Sequence, residues 1–173
     1  MEQLCATELG YGLMCVGGTK NDLGRGPELI RQVYNPRPIN PQILKKIENN
    51  KQSHGLLNRH ESNAISVGIK KTFIKGGLQG RKSEAFTNRV QWASNANATG
   101  NTMMLFNGNH RCTHIAESYE QEFYSWNIAT TDAKRRNISA REKNDAQVIV
   151  KNTQNILDQH AIWLVKFYDI GER

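Results

Sequence analysis

Nowhere in its 173 residues does the chain hold an unbroken apolar run of the roughly 18 residues that a membrane-spanning helix needs. The N-terminal stretch MEQLCATELGYGLMCVGG has no basic segment ahead of a clean apolar core, so no secretion signal is expected. Cysteine is scarce: Cys5, Cys15 and Cys112 are odd in number and lack the paired spacing of a zinc site or a disulfide framework. They read as reduced thiols, and the expectation is a cytoplasmic or nuclear protein with no membrane partner. The sequons at Asn97 and Asn137 carry little weight without an export signal. The GGTK at residues 17–20 lacks the GxxxxGK[ST] spacing of a phosphate loop. An acidic cluster of the kind a metal-dependent nuclease uses is also missing, so no protein-held metal is expected.

What the chain does have is positive charge, 23 Lys and Arg against 16 Asp and Glu, for a net +7. That balance favours polyanionic or phosphate-bearing partners over acidic proteins as such. The cations fall in short clusters, Lys45-Lys46, Lys70-Lys71, Arg81-Lys82 and Lys134-Arg135-Arg136, rather than one run. Such a pattern also fits an ordinary basic surface.

Residues 1–27 are rich in glycine, and the stretch to residue 32 reads as an irregular lead-in after a short helix or strand. In VYNPRPINPQILKKIENN, Pro36 and Pro38 impose an extended approach, Asn40 is a good N-cap and Pro41 suits the first helical position. A helix over about 41–51 follows, with Ile43, Leu44 and Ile47 as its apolar stripe. Alternation at Ile65, Val67 and Ile69 marks a half-buried strand. Residues 75–101 read as a surface excursion. A strand over 102–106 then runs through Asn107-Gly108-Asn109-His110-Arg111 into a helix to about Trp126, with Ile115, Tyr119 and Phe123 on one face. NIATTDAKRRN reads as a linker, residues 138–158 as a second long helix, and HAIWLVKFYDI as a closing strand. The expected fold is a compact α/β (α+β) domain, a small mixed sheet with flanking helices: a core over 33–126 completed by 127–173.

A strand that ends in a glycine turn and opens a helix presents unpaired backbone N–H groups at a positive helix end, which favours an anion. Gly108 allows close backbone approach, Asn109 and His110 offer donors, and Arg111 can fork onto phosphate oxygens. Ordinary capping by Asn109 with a solvated Arg111 is the structural alternative.

The succession NPRPINPQILKKIENN, NAISVGI and MLFNGNHRCTHIAE resembles the ParB/sulfiredoxin-like superfamily across roughly residues 33–126. The GNHR turn is close to that of the sulfiredoxin-like free-serine kinases and of the DGQHR-type proteins. The resemblance implies nucleotide binding by the strand–turn–helix, with His110 and Arg111 as the phosphate-holding pair and Arg37 as the arginine of the leading motif. It also implies phosphate contacts from Lys46 and Asn50. The sequence departs from sulfiredoxin in having Asn109 where a cysteine would precede the His-Arg pair, so sulfinic-acid reduction is not expected, and Cys112 reads as a buried helix residue. Partition-type ParB proteins carry a helix-turn-helix and a dimerisation segment after this domain, and with one long helix and a strand following Trp126 a chromosome-partition clamp is not expected.

Two functional classes follow. The first is an ATP- or ADP-binding enzyme with Mg²⁺, hydrolysing the nucleotide or passing a phosphoryl group to a small-molecule acceptor. In it His110 and Glu61, or less favourably Glu117, supply acid–base chemistry. The second is a DNA- or RNA-binding module or nuclease, using Arg81, Lys82, Arg89, Trp92 and Lys134, Arg135 and Arg136 as a phosphate-tracking surface with one stacking aromatic. A scaffold that keeps the fold without catalysis is the third reading.

Overall fold

The alternation at Ile65, Val67 and Ile69 sends these three side chains to one face of a strand, β3 (Ile65–Ile69), where all are buried. A computed structural model describes residues 7–17, 21–31, 38–54, 58–80 and 85–171, and in it β3 is the middle of a five-stranded mixed sheet. Strand β6 (Thr102–Asn107) lies antiparallel to it, with Val67 opposite Leu105. On its other side β7 (Ile162–Asp169) runs parallel, with Ile65 opposite Val165. The sheet is completed by β1 (Thr7–Cys15), antiparallel to β7, and β2 (Glu28–Ile30), parallel to β6, in the order β1-β7-β3-β6-β2. A separate two-stranded ribbon joins β4 (Ile74–Gly76) to β5 (Gln91–Trp92).

Along β7 the side chains alternate between two clusters, as strand geometry requires. Trp163, Val165 and Phe167 join the main core, whereas Ile162 and Leu164 pack with Tyr11 and Leu13 on the other face. The main core is closed by helices. Cys112 and Ile115 of α2 (Asn109–Ser118), Phe123 of α3 (Glu120–Lys134) and Leu157 of α4 (Ala140–His160) are buried against it, together with Tyr119 between the first two. Among the described residues α1 (Pro41–His54) is the remaining helix, and it packs on α2. The α/β architecture expected from the sequence is therefore present, and so is the strand pairing beside the GNHR turn; the single helix expected to run to about Trp126 is broken at Tyr119 into α2 and α3, which keep Ile115, Tyr119 and Phe123 in the core.

Three further expectations change. The N-terminal lead-in contains the nine-residue strand β1, whose glycines are crossing points rather than turns. A Cβ on Gly10 would come within 2.8 Å of the Gln79 carbonyl oxygen, and one on Gly12 within 2.6 Å of Val90. The excursion lies along the outer edge of β1: Tyr11 and Gln79 exchange backbone hydrogen bonds of 2.8 and 2.7 Å, and the Leu13 N–H donates to Asn88 at 2.9 Å. The expected linker is helical as far as Lys134, because NIATTDAK contains neither glycine nor proline and buries Ala129. The chain leaves the helix only at Arg135, and Ser139 with Glu142 forms a capping box that starts α4.

The third change concerns Arg89 and Trp92, expected on a nucleic-acid surface. Asp22, 1% exposed, stands in a 3-10 turn (Asn21–Gly24) with φ 47°. One oxygen of its carboxylate accepts the Cys15 N–H at 3.1 Å and Arg89 Nη2 at 2.6 Å, and the other accepts the Trp92 indole N–H at 2.7 Å. The second guanidinium nitrogen of Arg89 reaches Asp158, near the end of α4, at 3.1 Å. Trp92 also sets its ring edge against Phe167, 6.2 Å between centroids. Both side chains are thus occupied in joining the excursion to the body of the fold, which a reading of charge and aromaticity alone does not reveal.

Removing one partner of a buried ion pair leaves the other charge without compensation. Arg89→Ala is expected to lower unfolding free energy by about 3 kcal/mol in urea denaturation. Truncating Arg135, whose bond to Asp132 is largely exposed, should change it by less than about 1 kcal/mol. Equal effects of the two substitutions would contradict the central place given to Asp22.

Candidate functional site

Strand β6 ends at Asn107 and Gly108 turns the chain with φ 104°. That angle lies in the left-handed region, and a Cβ there would stand 3.0 Å from the Ile65 side chain and 3.3 Å from its Cα. Glycine is required on both counts. Helix α2 then starts at Asn109, its first intrahelical bond running from the Cys112 N–H to the Gly108 carbonyl at 2.9 Å. The N–H groups of Asn109, His110 and Arg111 belong to the first turn, which has no intrahelical acceptors. None finds an acceptor among the described residues.

His110 connects this helix end to another. Its Nε2 accepts the backbone N–H of Asn40 at 2.9 Å, and the Asn40 side chain accepts the Gln42 N–H at 2.9 Å to cap α1. A nitrogen that accepts cannot also carry a proton, so in this arrangement the neutral ring holds its proton on Nδ1. Nδ1–H is then a donor held in place by the bond at the opposite nitrogen. Lower down, His114 of α2 stands 3.4 Å from Glu48 of α1, a second tie between the two helices. The N-termini of α1 and α2 therefore meet at His110, and both bring the positive end of a helix.

Arg111 is half-buried, and burial pulls its pKa below the usual guanidinium value. It pairs with no carboxylate among the described residues. A second arginine stands close by. The parallel register of β2 with β6, Ile30 opposite Met104, brings Arg31 to the same end of the sheet. Both guanidinium groups act on the thiol of Cys112: burial drives its pKa up to about 11, while Arg31 and then Arg111 oppose the rise. Arg31 is missed by sequence reasoning because β2 is only three residues long, too short for a period to show.

Of the other residues expected at the site, Lys46 and Asn50 are exposed on α1. At 100° per residue they lie roughly 200° from Glu48, on the side away from α2. Glu61 is exposed in a 3-10 turn before β3 and accepts the Tyr11 hydroxyl at 2.7 Å, and Tyr11 belongs to the opposite face of the sheet from α2. The structure thus brings together Gly108, Asn109, His110 and Arg111, adds Arg31, and places Lys46, Asn50 and Glu61 elsewhere. Arg37, Arg81 and Lys82 lie outside the described residues, whereas Lys134, Arg135 and Arg136 are exposed at the far end of α3. Among the described residues no three His, Cys, Asp or Glu side chains are grouped to hold a metal ion, and no helix is long and apolar enough to cross a membrane.

No protein-family model matches the chain, and no curated protein or solved structure matches it either. The likeness to the ParB/sulfiredoxin-like proteins rests on its motifs.

Neither described cysteine has the exposure or the thiolate character of a nucleophile. Cys112 is fully buried, and burial, aided by the nearby Asp22, pushes the Cys15 thiol up to about 12. At pH 8 both are expected to resist Ellman's reagent until the protein unfolds. Peptide mapping that finds either one labelled in the native protein would refute this assignment.

Proposed function

We propose that the chain binds a nucleotide, ATP or ADP, by its phosphates at the Gly108–Arg111 turn, as a protein of the phosphotransferase or NTPase type. The observation that carries this reading is the pair of guanidinium groups, Arg111 and Arg31, beside a helix N-terminus, without a carboxylate partner for Arg111 among the described residues. A half-buried cation kept without a counter-charge is costly unless an anion completes it, and phosphate oxygens match both the fork of arginine and the free N–H groups of the turn. Nδ1–H of His110 adds a donor from the same turn. In this reading His110 orients the ligand and stabilises its charge rather than acting as a base, because its accepting nitrogen is already bonded to Asn40. Mg²⁺ would arrive with the nucleotide, held by its phosphates, and would supply further neutralisation of their charge.

The reading is tested by thermal shift of the purified chain with ATP, ADP, CTP and GTP, with and without Mg²⁺, since a ligand at a hundred times its Kd adds about 2.7 kcal/mol of stability. Arg111→Ala should weaken binding by roughly 1.5–3 kcal/mol, the scale of a lost charged hydrogen bond. Arg31→Ala should act in the same direction, and Arg111→Lys should restore little because an ammonium group cannot reproduce the fork. A shift with every nucleotide that is the same for wild type and Arg111→Ala would place binding elsewhere, and no shift with any would end the proposal. Binding without turnover would leave a nucleotide-holding scaffold.

A further inference from the structure

The second concentration of charge lies far from the turn. Helix α4 has 21 residues and runs directly into β7, so at 1.5 Å per residue its first turn stands about 30 Å along the helix from the start of that strand. There it meets the last turn of α3, and the two form the tip of a helical hairpin. The tip carries five cations, Lys134, Arg135, Arg136, Arg141 and Lys143, all exposed. Three acids stand among or within two residues of these cations: Asp132 and Glu142 are engaged, and Asp145 is exposed one turn beyond Arg141. Asp132 takes Arg135 at 3.1 Å, and the Glu142 carboxylate accepts from the Ser139 N–H at 2.8 Å and its hydroxyl at 2.7 Å. Those bonds hold the Glu142 carboxyl below its ordinary pKa. Lys134, Arg136, Arg141 and Lys143 pair with no carboxylate among the described residues.

From this arrangement we infer that the hairpin tip is a docking surface for the phosphate backbone of duplex nucleic acid, independent of the turn between β6 and α2. Charge complementarity argues for a polyanion, and the other features of the tip narrow the class. An anionic bilayer is disfavoured because stable attachment needs an apolar wedge, and the one large apolar side chain of the tip, Ile138, is partly buried. Single strands are held mainly by stacking on aromatic rings, and the nearest exposed ring, Tyr124, lies ten residues back from Lys134, about 15 Å along α3. Two helices side by side span about 20 Å, too wide for a major groove of about 12 Å. The tip therefore lies across phosphates and reads no base edges. About four phosphate contacts, one for each free cation, are expected, with no preference for sequence.

The test is fluorescence anisotropy of the full chain with a labelled duplex of about two helical turns. Affinity should fall roughly 100-fold between about 50 and 200 mM salt, the slope for four released counterions, and should be the same for unrelated sequences. Reversing Lys134, Arg136, Arg141 and Lys143 to Glu should abolish binding, and changing the same four to Gln should weaken it at least tenfold. Circular dichroism confirms folding, and the Gln variant decides the matter should the reversed one unfold. Arg111→Ala should bind duplex like wild type, which separates this inference from the nucleotide reading. Unaltered duplex binding by the folded Gln variant, tighter binding to a single strand of equal length, or tighter binding to phosphatidylserine vesicles would each overturn it.

Discussion

A single carboxylate, that of Asp22, fixes how the outer parts of the fold meet the sheet. It is buried in the left-handed backbone region, which aspartate tolerates better than most residues, and it is followed by Leu23 in the same region, φ 56°, where a bulky side chain is uncommon. Such a turn persists where surrounding interactions over-determine it, and here they come from three directions: the backbone at the end of β1, Arg89 and Trp92 of the excursion, and α4 through Asp158. Arg25 adds a bond from its Nε to the Asp22 carbonyl at 3.1 Å. Without this centre the excursion would keep its backbone bonds to β1 but lose its hold on the main core, where Val90 and Ala96 are buried. The cost of burying charge is offset by confining several loops to one arrangement.

The strand–turn–helix beside the candidate site was legible because its signals are local. Alternation at Ile65, Val67 and Ile69, the apolar run into Asn107-Gly108, and the spacing of Ile115, Tyr119 and Phe123 are each carried by a handful of adjacent residues, and the structure contains all three. What was not legible depends on contacts between distant segments. The glycines of β1 are explained by Gln79 and Val90, some seventy residues away. The commitments of Arg89 to Asp22 and of Glu61 to Tyr11 likewise exist only once the chain has folded. Arg31 reaches the site through a strand of three residues whose one pairing among the described residues is with β6.

In the proposed nucleotide reading, backbone groups supply most of the anion's contacts and few side chains are needed. Two helix ends, a glycine forced against Ile65 and a histidine whose proton position is set by Asn40 make a rigid frame, and the arginines complete it. Rigidity matters because donors held in place need no reorganisation as charge arrives. The tie between Glu48 and His114 lies one turn below, so the angle between α1 and α2 is fixed at two points rather than one.

The pairing of β1 with β7 has a consequence for how the molecule comes into being. Thr7 lies opposite Asp169 and Cys15 opposite Ile162, so the first strand finds its partner only in the last. During synthesis β1 cannot complete this pairing until β7, some 150 residues later, has been made. Pairings of such long separation slow folding, and unpaired strand edges recruit other chains. The excursion, which bonds to the opposite edge of β1, is made much earlier and can cover that strand in the interval. The same segment that reads as a surface insertion would then serve as an internal escort for β1.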